Sequence, residues 1–264
     1  MDWLAVYLAI GAAVGFLAGL LGIGGGMVTV PVLVFVFTAK SFPSDHLMHL
    51  SLATAMATIP FTSASSVRAH HAHGGVDWGV VLGMLPGLAV GALLGALVAG
   101  AVPSRPLAIF FTAFIFYAAI NMFLNIRPKA SRQLPGRVGL GVTGGVISFL
   151  ASFLAAGAAF MTIPFMTWCN VPLKRAIGTA AALGFPLALA STIGYIYAGW
   201  RASGLPSGTL GFVYLPALIP VVGASMLTAP FGARFSHRLP VRKLRMAFGV
   251  LLLALALHML SALW

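Results

Sequence analysis

The chain has 264 residues, 60% of them hydrophobic and 7% charged, with a mean hydropathy of +1.04. A soluble domain carries about a quarter charged residues, so this composition excludes a water-soluble globular protein and indicates an integral membrane protein. The formal net charge of +12 lies in clusters between apolar runs, where cations record membrane topology, and is not read as a nucleic-acid footprint.

Asp2, Asp45 and Asp77 are the only acidic residues. No carboxylate lies within an apolar run, which argues against a proton relay or cation site built on buried acids. Cys169 stands alone, so an internal disulfide or a Cys-based metal site is excluded. It reads as a small buried hydrophobe. The opening Met1 to Leu4 lacks the basic region of a signal peptide, so the first apolar run is expected to stay as a membrane segment.

In chain order, apolar segments are expected at roughly 3–22, 27–38, 47–67, 78–100 and 106–125, then at 138–156, 160–170, 176–199, 209–233 and 246–263. Most can supply a spanning helix of about 20 residues, but the second of each five cannot. Residues 1–126 thus form a first unit and 138–264 a second. They are joined by a polar, proline-punctuated connection over 127–137. The expected fold is an all-α membrane protein of ten segments.

One stretch occurs twice. Gly19–Pro31 reads GLLGIGGGMVTVP, and Ser152–Pro164 reads SFLAAGAAFMTIP. Ala53-Thr54-Ala55 is matched by Gly178-Thr179-Ala180, Gly95 by Gly232, and Pro103, Arg105 and Leu107 by Pro240, Arg242 and Leu244 at the same spacing. Chance similarity of Gly/Ala-rich helices does not explain that last match, so the chain reads as a duplication. If each short segment completes a crossing, each half crosses an odd number of times and the second half is inverted. One side then receives twelve cations: Arg68, Arg127, Lys129, Arg132, Arg137, Lys174, Arg175, Arg234, Arg238, Arg242, Lys243 and Arg245. The other receives Lys40, Arg105 and Arg201. This bias satisfies the positive-inside rule and puts both termini outside the cytoplasm.

The short segments carry the candidate site. A helix from Thr29 to Thr38, with Thr29 as N-cap and Pro31 in its first turn, would be preceded by extended backbone over 22–28. Non-helical backbone at membrane depth is tolerated where it is enclosed in protein or lines a wet cavity. A helix beginning there points unpaired N–H groups and the positive end of its dipole at a ligand, which suits an anion. Gly24, Gly25 and Gly26 would let the ligand approach the main chain. Gly157, Ala158 and Thr162 are their counterparts, and inversion would bring the two helix starts together. Close helix packing is the competing role for glycine, and it fits Gly11, Gly15 and Gly19 better than the 24–26 triplet.

Thr54 and Thr179 occupy equivalent helices, where they can donate to anion oxygens or bond their own helix carbonyls. His49 aligns with Lys174, and either can place positive charge at a cavity mouth. His70, His71 and His73 follow Arg68 in an expected loop; a solvated basic loop and a metal site are the two readings. His258 in the last helix is in register with Asn121, each as a polar interhelical contact, with proton coupling a second role for the histidine.

The GFLAGLLGIGGG run (15–26) with Val30-Pro31 resembles the opening signature of the TauE/SafE sulfite exporter family of bacterial inner-membrane proteins. So do Ala53-Thr54, the run from Thr62 to His71, and Ala176 to Thr179. The resemblance covers essentially the whole chain. It implies transport, usually outward, of small sulfur-containing anions such as sulfite, thiosulfate or organosulfonates. The second copy departs from the family in reading AAGAA over 155–159, where more glycine is usual. No cofactor is expected, and no Gly-x-x-x-x-Gly-Lys-Ser/Thr motif supplies nucleotide binding. The expected partners are a small anion and the lipid bilayer, with a homo-oligomer left open. A metal-dependent membrane enzyme using the histidine run and an anion channel are the alternatives to a carrier.

Overall fold

The computed structural model describes residues 3–21, 25–124, 131–155, 158–236 and 241–263. Among them the chain forms ten helices and one short hairpin. The first five helices are α1 (Trp3–Leu21), α2 (Gly26–Ala39), α3 (Ser44–Ala72), α4 (Trp78–Ala101) and α5 (Ser104–Leu124). Then come α6 (Arg137–Ser152), α7 (Ala159–Trp168), α8 (Leu173–Gly199), strands β1 (Thr209–Leu210) and β2 (Val213–Tyr214), α9 (Leu215–Ser236) and α10 (Val241–Leu263). The all-α membrane architecture expected from composition is what the chain adopts.

Several boundaries differ from the sequence reading, α10 among them, which begins at Val241 and not at 246. The segment expected at 209–233 opens with the antiparallel hairpin, in which Thr209 pairs with Tyr214 and Leu210 with Val213. Gly208 and Gly211 take φ of +85° and +55°, a left-handed backbone that favours glycine and bends the chain before α9 begins. Helix α3 extends past 47–67 at both ends and takes in His70 and His71. Helix α6 stops at Ser152, four residues early, because Ala155 is left-handed at φ +43°.

Among the described residues, four helices (α4, α5, α8 and the Leu215–Gly232 part of α9) are long and apolar enough to cross a membrane. Large apolar side chains such as Leu82, Val142, Ile219 and Leu227 lie on the outer surface, 63–72% exposed. In water such a surface would be a liability; in a bilayer it faces lipid.

Without a hydrophobic drive between helices in lipid, close backbone approach through small residues holds the bundle. Helix α1 packs on α9, and α4 packs on α6. A Cβ on Gly11 would come within 2.5 Å of the Val221 carbonyl, and one on Gly15 would collide with the backbone of Ser225. On α4, Gly83, Gly87, Gly91 and Gly95 recur every fourth residue and meet Leu140, Gly141, Gly145 and Phe149 of α6 in turn. Helix α3 runs through the middle against α2, α8 and α9, while α5 pairs with α10. Buried hydroxyls fasten the end of α6: Ser152 Oγ lies 2.8 Å from Ser191 Oγ and 3.0 Å from the Ala92 carbonyl. Tyr195 OH donates to the Ser152 carbonyl at 2.8 Å.

The two ends of the bundle differ in charge. At one end Lys40 reaches Tyr214, Ser104 Oγ accepts from the Met48 N–H, and a cavity beside Gly100 is lined by Trp200 and Arg201. This gathers the termini of α2, α5 and α8 that bear Lys40, Arg105 and Arg201. At the other end Gly178 packs on the Gly75 carbonyl, near Lys174 and Arg175, and the Arg132 N–H donates to the Trp168 carbonyl.

Gly87→Val and Gly91→Val should each destabilise the detergent-solubilised protein by about 1–3 kcal/mol, the range for overpacking a close contact. Gly223→Ala, where nothing lies within 4 Å of the added atom, should leave the melting temperature unchanged. Thermal unfolding followed by size-exclusion checks both.

Candidate functional site

Two helix junctions lie close together in the bundle, as the contact between Gly26 and Ala155 shows. The first separates α1 from α2, and the second separates α6 from α7. Gly24 and Gly157 lie outside the described residues. A Cβ on Gly26 would fall on the Ala155 carbonyl and come within 3.2 Å of Ile59, so the start of α2 abuts the second break and the central helix α3.

The start of α2 corrects the sequence reading. Gly25 is already helical in conformation (φ −76°, ψ −7°), so the helix begins at Gly26 and residues 25–28 are not extended. Thr29 is therefore the fourth residue of α2 and not its N-cap. Its hydroxyl donates to the Gly25 carbonyl at 2.8 Å, one turn back. Gly25 and Gly26 do not leave open space for a ligand at their Cβ positions: those directions are filled by Val14 Cγ1 at 2.5 Å and by Ala155. Their smallness lets the two breaks and α1 come together, which is packing.

The second break keeps the same register. Helix α7 begins at Ala159, so Thr162 is its fourth residue and Pro164 its sixth, as Thr29 and Pro31 are in α2. The backbone bonds correspond as well: Thr29 N–H to Gly25 and Thr162 N–H to Ala158, each at 2.9 Å. The hydroxyls do not. Thr162 is fully buried and its Oγ1 has no hydrogen-bond partner among the described residues. A buried unpaired hydroxyl costs about 1–3 kcal/mol, and this one stands in the first turn of a helix whose leading N–H groups have no intrahelical acceptors.

Thr54 and Thr179 are both fully buried, and neither bonds its own helix. Thr54 Oγ1 accepts from the Tyr214 N–H at 3.0 Å, and Thr179 Oγ1 accepts from the Asp77 N–H at 2.9 Å. Tyr214 and Asp77 are the residues immediately before α9 and α4, so each middle helix holds the entry of the other half's fourth helix. Each hydroxyl, while accepting, keeps its own proton to donate.

His49 and Lys174, aligned in sequence, part company in space. Lys174 is exposed as the second residue of α8. Helix α3 starts earlier, which makes His49 its sixth residue and places it beneath the hairpin, 3% exposed. Its Nε2 lies 2.8 Å from the Val102 carbonyl, and its ring stacks on Phe212 at 4.9 Å between centroids. His49 is thus not a cavity-mouth charge.

His70 and His71 close α3 and are not in a loop, and the His71 Nδ1 accepts from the Trp78 indole at 3.2 Å. Among the described residues no three His, Cys, Asp or Glu side chains gather in metal-binding geometry. His258 lies edge-on to Phe35, 5.4 Å between ring centroids, and is exposed.

One cluster was missed by sequence reasoning. Lys40 Nζ donates to Tyr214 OH at 3.0 Å and sits 5.1–5.6 Å from the ring centroids of Trp3, Tyr7, Phe42 and Tyr214. This aromatic cage ties the end of α2 to α1 and the hairpin by cation–π attraction. Trp3 and Tyr7, four residues apart, were the available signal, but their partners come from more than 30 and more than 200 residues away.

Thr162→Val removes a hydroxyl that has no partner, so the ligand-free protein should unfold at the same or a higher temperature. Thr54→Val strips the Tyr214 N–H of its acceptor and should cost about 1–3 kcal/mol. Differential scanning fluorimetry on the two variants reads this contrast.

Sequence comparison supplies the context. Residues 7–259 match the model of the family described as "Sulfite exporter TauE/SafE". A "Probable membrane transporter protein" of Haemophilus influenzae is 32% identical over 253 residues, covering 96% of each chain. The probable membrane transporter protein YdhB of Bacillus subtilis is 27% identical over 86% of this chain and 87% of its own. A probable membrane transporter protein of Methanocaldococcus jannaschii is 23% identical over 97% and 95%. No solved structure matches the chain. With the family model spanning nearly its full length and the relatives aligning end to end, this chain belongs to the sulfite exporter TauE/SafE family of membrane transporters.

Proposed function

We propose that the protein is a secondary transporter, working as an exporter of small sulfur-containing anions such as sulfite, thiosulfate or an organosulfonate by alternating access. It is not an enzyme and uses no cofactor. Its two halves are inverted five-segment repeats in the bacterial inner membrane, both termini are periplasmic, and the end bearing Lys40, Arg105 and Arg201 faces out. The clustering of those three cations at one end of the bundle supports this sidedness.

The observation that carries the reading is Thr162. A fully buried hydroxyl without a partner, in the first turn of a broken helix that abuts a second helix break, is a donor waiting for an acceptor. The helix dipole adds positive potential at the same point. The described residues place no acidic side chain there to compete. An oxyanion fits this chemistry: it needs donors and positive potential, and neutral donors leave it free to depart again. Thr29, Thr54 and Thr179 complete the hydroxyl set along α2, α3 and α8. The main-chain N–H groups after Gly24–Gly26 and after Gly157–Ala158 supply the rest. Lys174 at the inner end concentrates anions before they enter.

Purified protein in proteoliposomes should exchange internal thiosulfate or sulfite for external labelled anion with saturation. A neutral amide analogue should not compete. Thr162→Val should weaken the apparent affinity by roughly 10- to 150-fold, the loss of one hydrogen bond to a charged group of about 1.5–3 kcal/mol. Wild-type affinity in that variant, or flux that never saturates, overturns the carrier site as described.

Topology has its own check. With Cys169 replaced by Ser, a cysteine placed in 131–136 should react with an impermeant maleimide only from the cytoplasmic side, and one added after Trp264 only from outside. Labelling of both from one side contradicts the inverted arrangement.

A further inference from the structure

At the outer end of the bundle, two imidazoles share a face of α3 one turn apart. His46 and His49 have ring centroids 5.9 Å apart, and both pack on Phe212, at 5.6 and 4.9 Å. Both bury an Nδ1 atom that has no hydrogen-bond partner among the described residues. His49 donates its Nε2–H to the Val102 carbonyl at 2.8 Å, which leaves Nδ1 as a bare acceptor lone pair. The apolar runs hold no carboxylate. Of the two, His49 is buried (3% exposed) and His46 half-buried, and histidine is the side chain whose ordinary titration falls near neutrality.

We propose that His46 and His49 form a proton-binding site that releases the β1–β2 hairpin and so links anion movement to the pH outside. The outward sidedness and the carrier cycle rest on the function proposed above; the proton site itself rests on the histidine geometry. The pair takes one proton, at an Nδ1 lone pair, and a second is opposed by the first across 5.9 Å.

The coupling follows from what surrounds the rings. Helix α4 presents the Val102 carbonyl, already engaged by Nε2, and α5 presents Ser104, engaged by the Met48 N–H. The hairpin presents Phe212, whose N–H donates to the Tyr195 carbonyl at 3.4 Å, and Tyr214, engaged by Lys40 and Thr54. The charged groups nearest in the chain, Asp45 on α3 and Arg105 on α5, are exposed to solvent. The Ala99 and Asp45 carbonyls also lie near the His49 ring, but among the described residues no group stands in hydrogen-bonding geometry to either Nδ1, and burial beneath Phe212 outweighs the nearby carbonyls. Burying that charge unpaired is costly. Protonation therefore favours a state in which Phe212 has moved off and water or the departing anion reaches Nδ1. Thr54 lies five residues further along α3, about 7.5 Å of helical rise, and holds the same hairpin through Tyr214. Release at His49 thus reaches the hydroxyl that faces the anion path.

The sign is fixed by this geometry. The closed state shields His49 from water and disfavours its charged form, so that state is lost as the outside pH falls and the outward-open state gains.

Two measurements test the proposal. In the first, Val213→Cys is introduced into a Cys169→Ser background and labelled from outside with an impermeant maleimide at about pH 6 and about pH 8. Val213 is 1% exposed, so labelling reports hairpin release. Rates are divided by those of the same protein carrying His49→Gln, which can still donate to Val102 but cannot titrate; this cancels the thiol's own pH dependence. The ratio should rise toward low pH, at most roughly tenfold per pH unit for a single proton. A ratio that does not change with pH overturns the proposal, whether or not the protein transports anything.

In the second, thiosulfate exchange is followed across the same outside pH range, because the charge of thiosulfate is constant there. Wild-type exchange should accelerate as pH falls, and His49→Gln should exchange at a pH-independent rate. An unaltered pH profile in His49→Gln, with exchange intact, overturns the proton site and leaves the anion carrier standing. Absence of exchange in the wild-type protein together with pH-dependent hairpin release overturns the carrier and leaves the proton site.

Discussion

Everything in this fold follows from one constraint: in a bilayer, backbone polar groups that leave a helix must find partners inside the protein. The chain passes from α1 to α2 and from α6 to α7 at two junctions whose described ends, Gly26 and Ala155, touch inside the bundle. Both breaks are walled in. The start of α2 lies against Ala155, Ile59 and Val14, and the end of α6 is fastened by Ser191, Tyr195 and the Ala92 carbonyl. The long central helices α3 and α8 supply Thr54 and Thr179, which take up the backbone N–H groups at the entries to α9 and α4. Around the two junctions the described residues form an enclosed surface that includes the buried hydroxyls of Thr29 and Thr162.

That surface is built almost without formal charge. Lys40, Arg105 and Arg201 gather at one end and Lys174 and Arg175 at the other, while the middle relies on dipoles and hydroxyls. For a carrier this division is useful. A buried lysine or arginine would hold an anion tightly and release it slowly, whereas neutral donors discriminate charge through helix orientation and let the ligand leave. The end that bears Lys40 is closed by aromatic packing: Phe212 on two imidazoles, and Tyr214 with three other rings around Lys40. Such contacts are large enough to exclude water, and each can be undone by moving one hairpin.

Glycine serves one physical purpose at several places. At Gly11 and Gly15 on α1, and at Gly83 to Gly95 on α4, the missing Cβ lets helix backbones touch. At Gly25 and Gly26 the same absence lets a helix break sit against α1 and the opposite break. The second break manages with Ala155 in a left-handed conformation, a strain of about 1–2 kcal/mol that glycine would relieve. The departure of the second copy from a glycine-rich pattern thus has a visible cost in the backbone.

The sequence by itself determined the membrane class, the ten segments, the two short second segments and the family. These are properties of composition, hydropathy and local repetition, and they survive without knowledge of any contact. Gly11 and Gly15 as packing residues were legible for the same reason, since small residues at helical spacing have one common use in lipid. The start of α2 was not legible: Thr29 before Pro31 reads as a cap, but Gly25 is already helical, packed on Val14, while Gly26 packs on Ala155. Equivalent sequence positions also diverged, His49 into the protein under Phe212 and Lys174 out to solvent, because α3 begins a turn earlier than α8. The role of each hydroxyl was decided only in three dimensions. Thr29 bonds one turn back, Thr54 and Thr179 catch backbone from the other half, and Thr162 is left without a partner. A hydrogen bond is set by which group stands within about 3 Å, and residues more than 100 positions apart come that close only after the helices have packed.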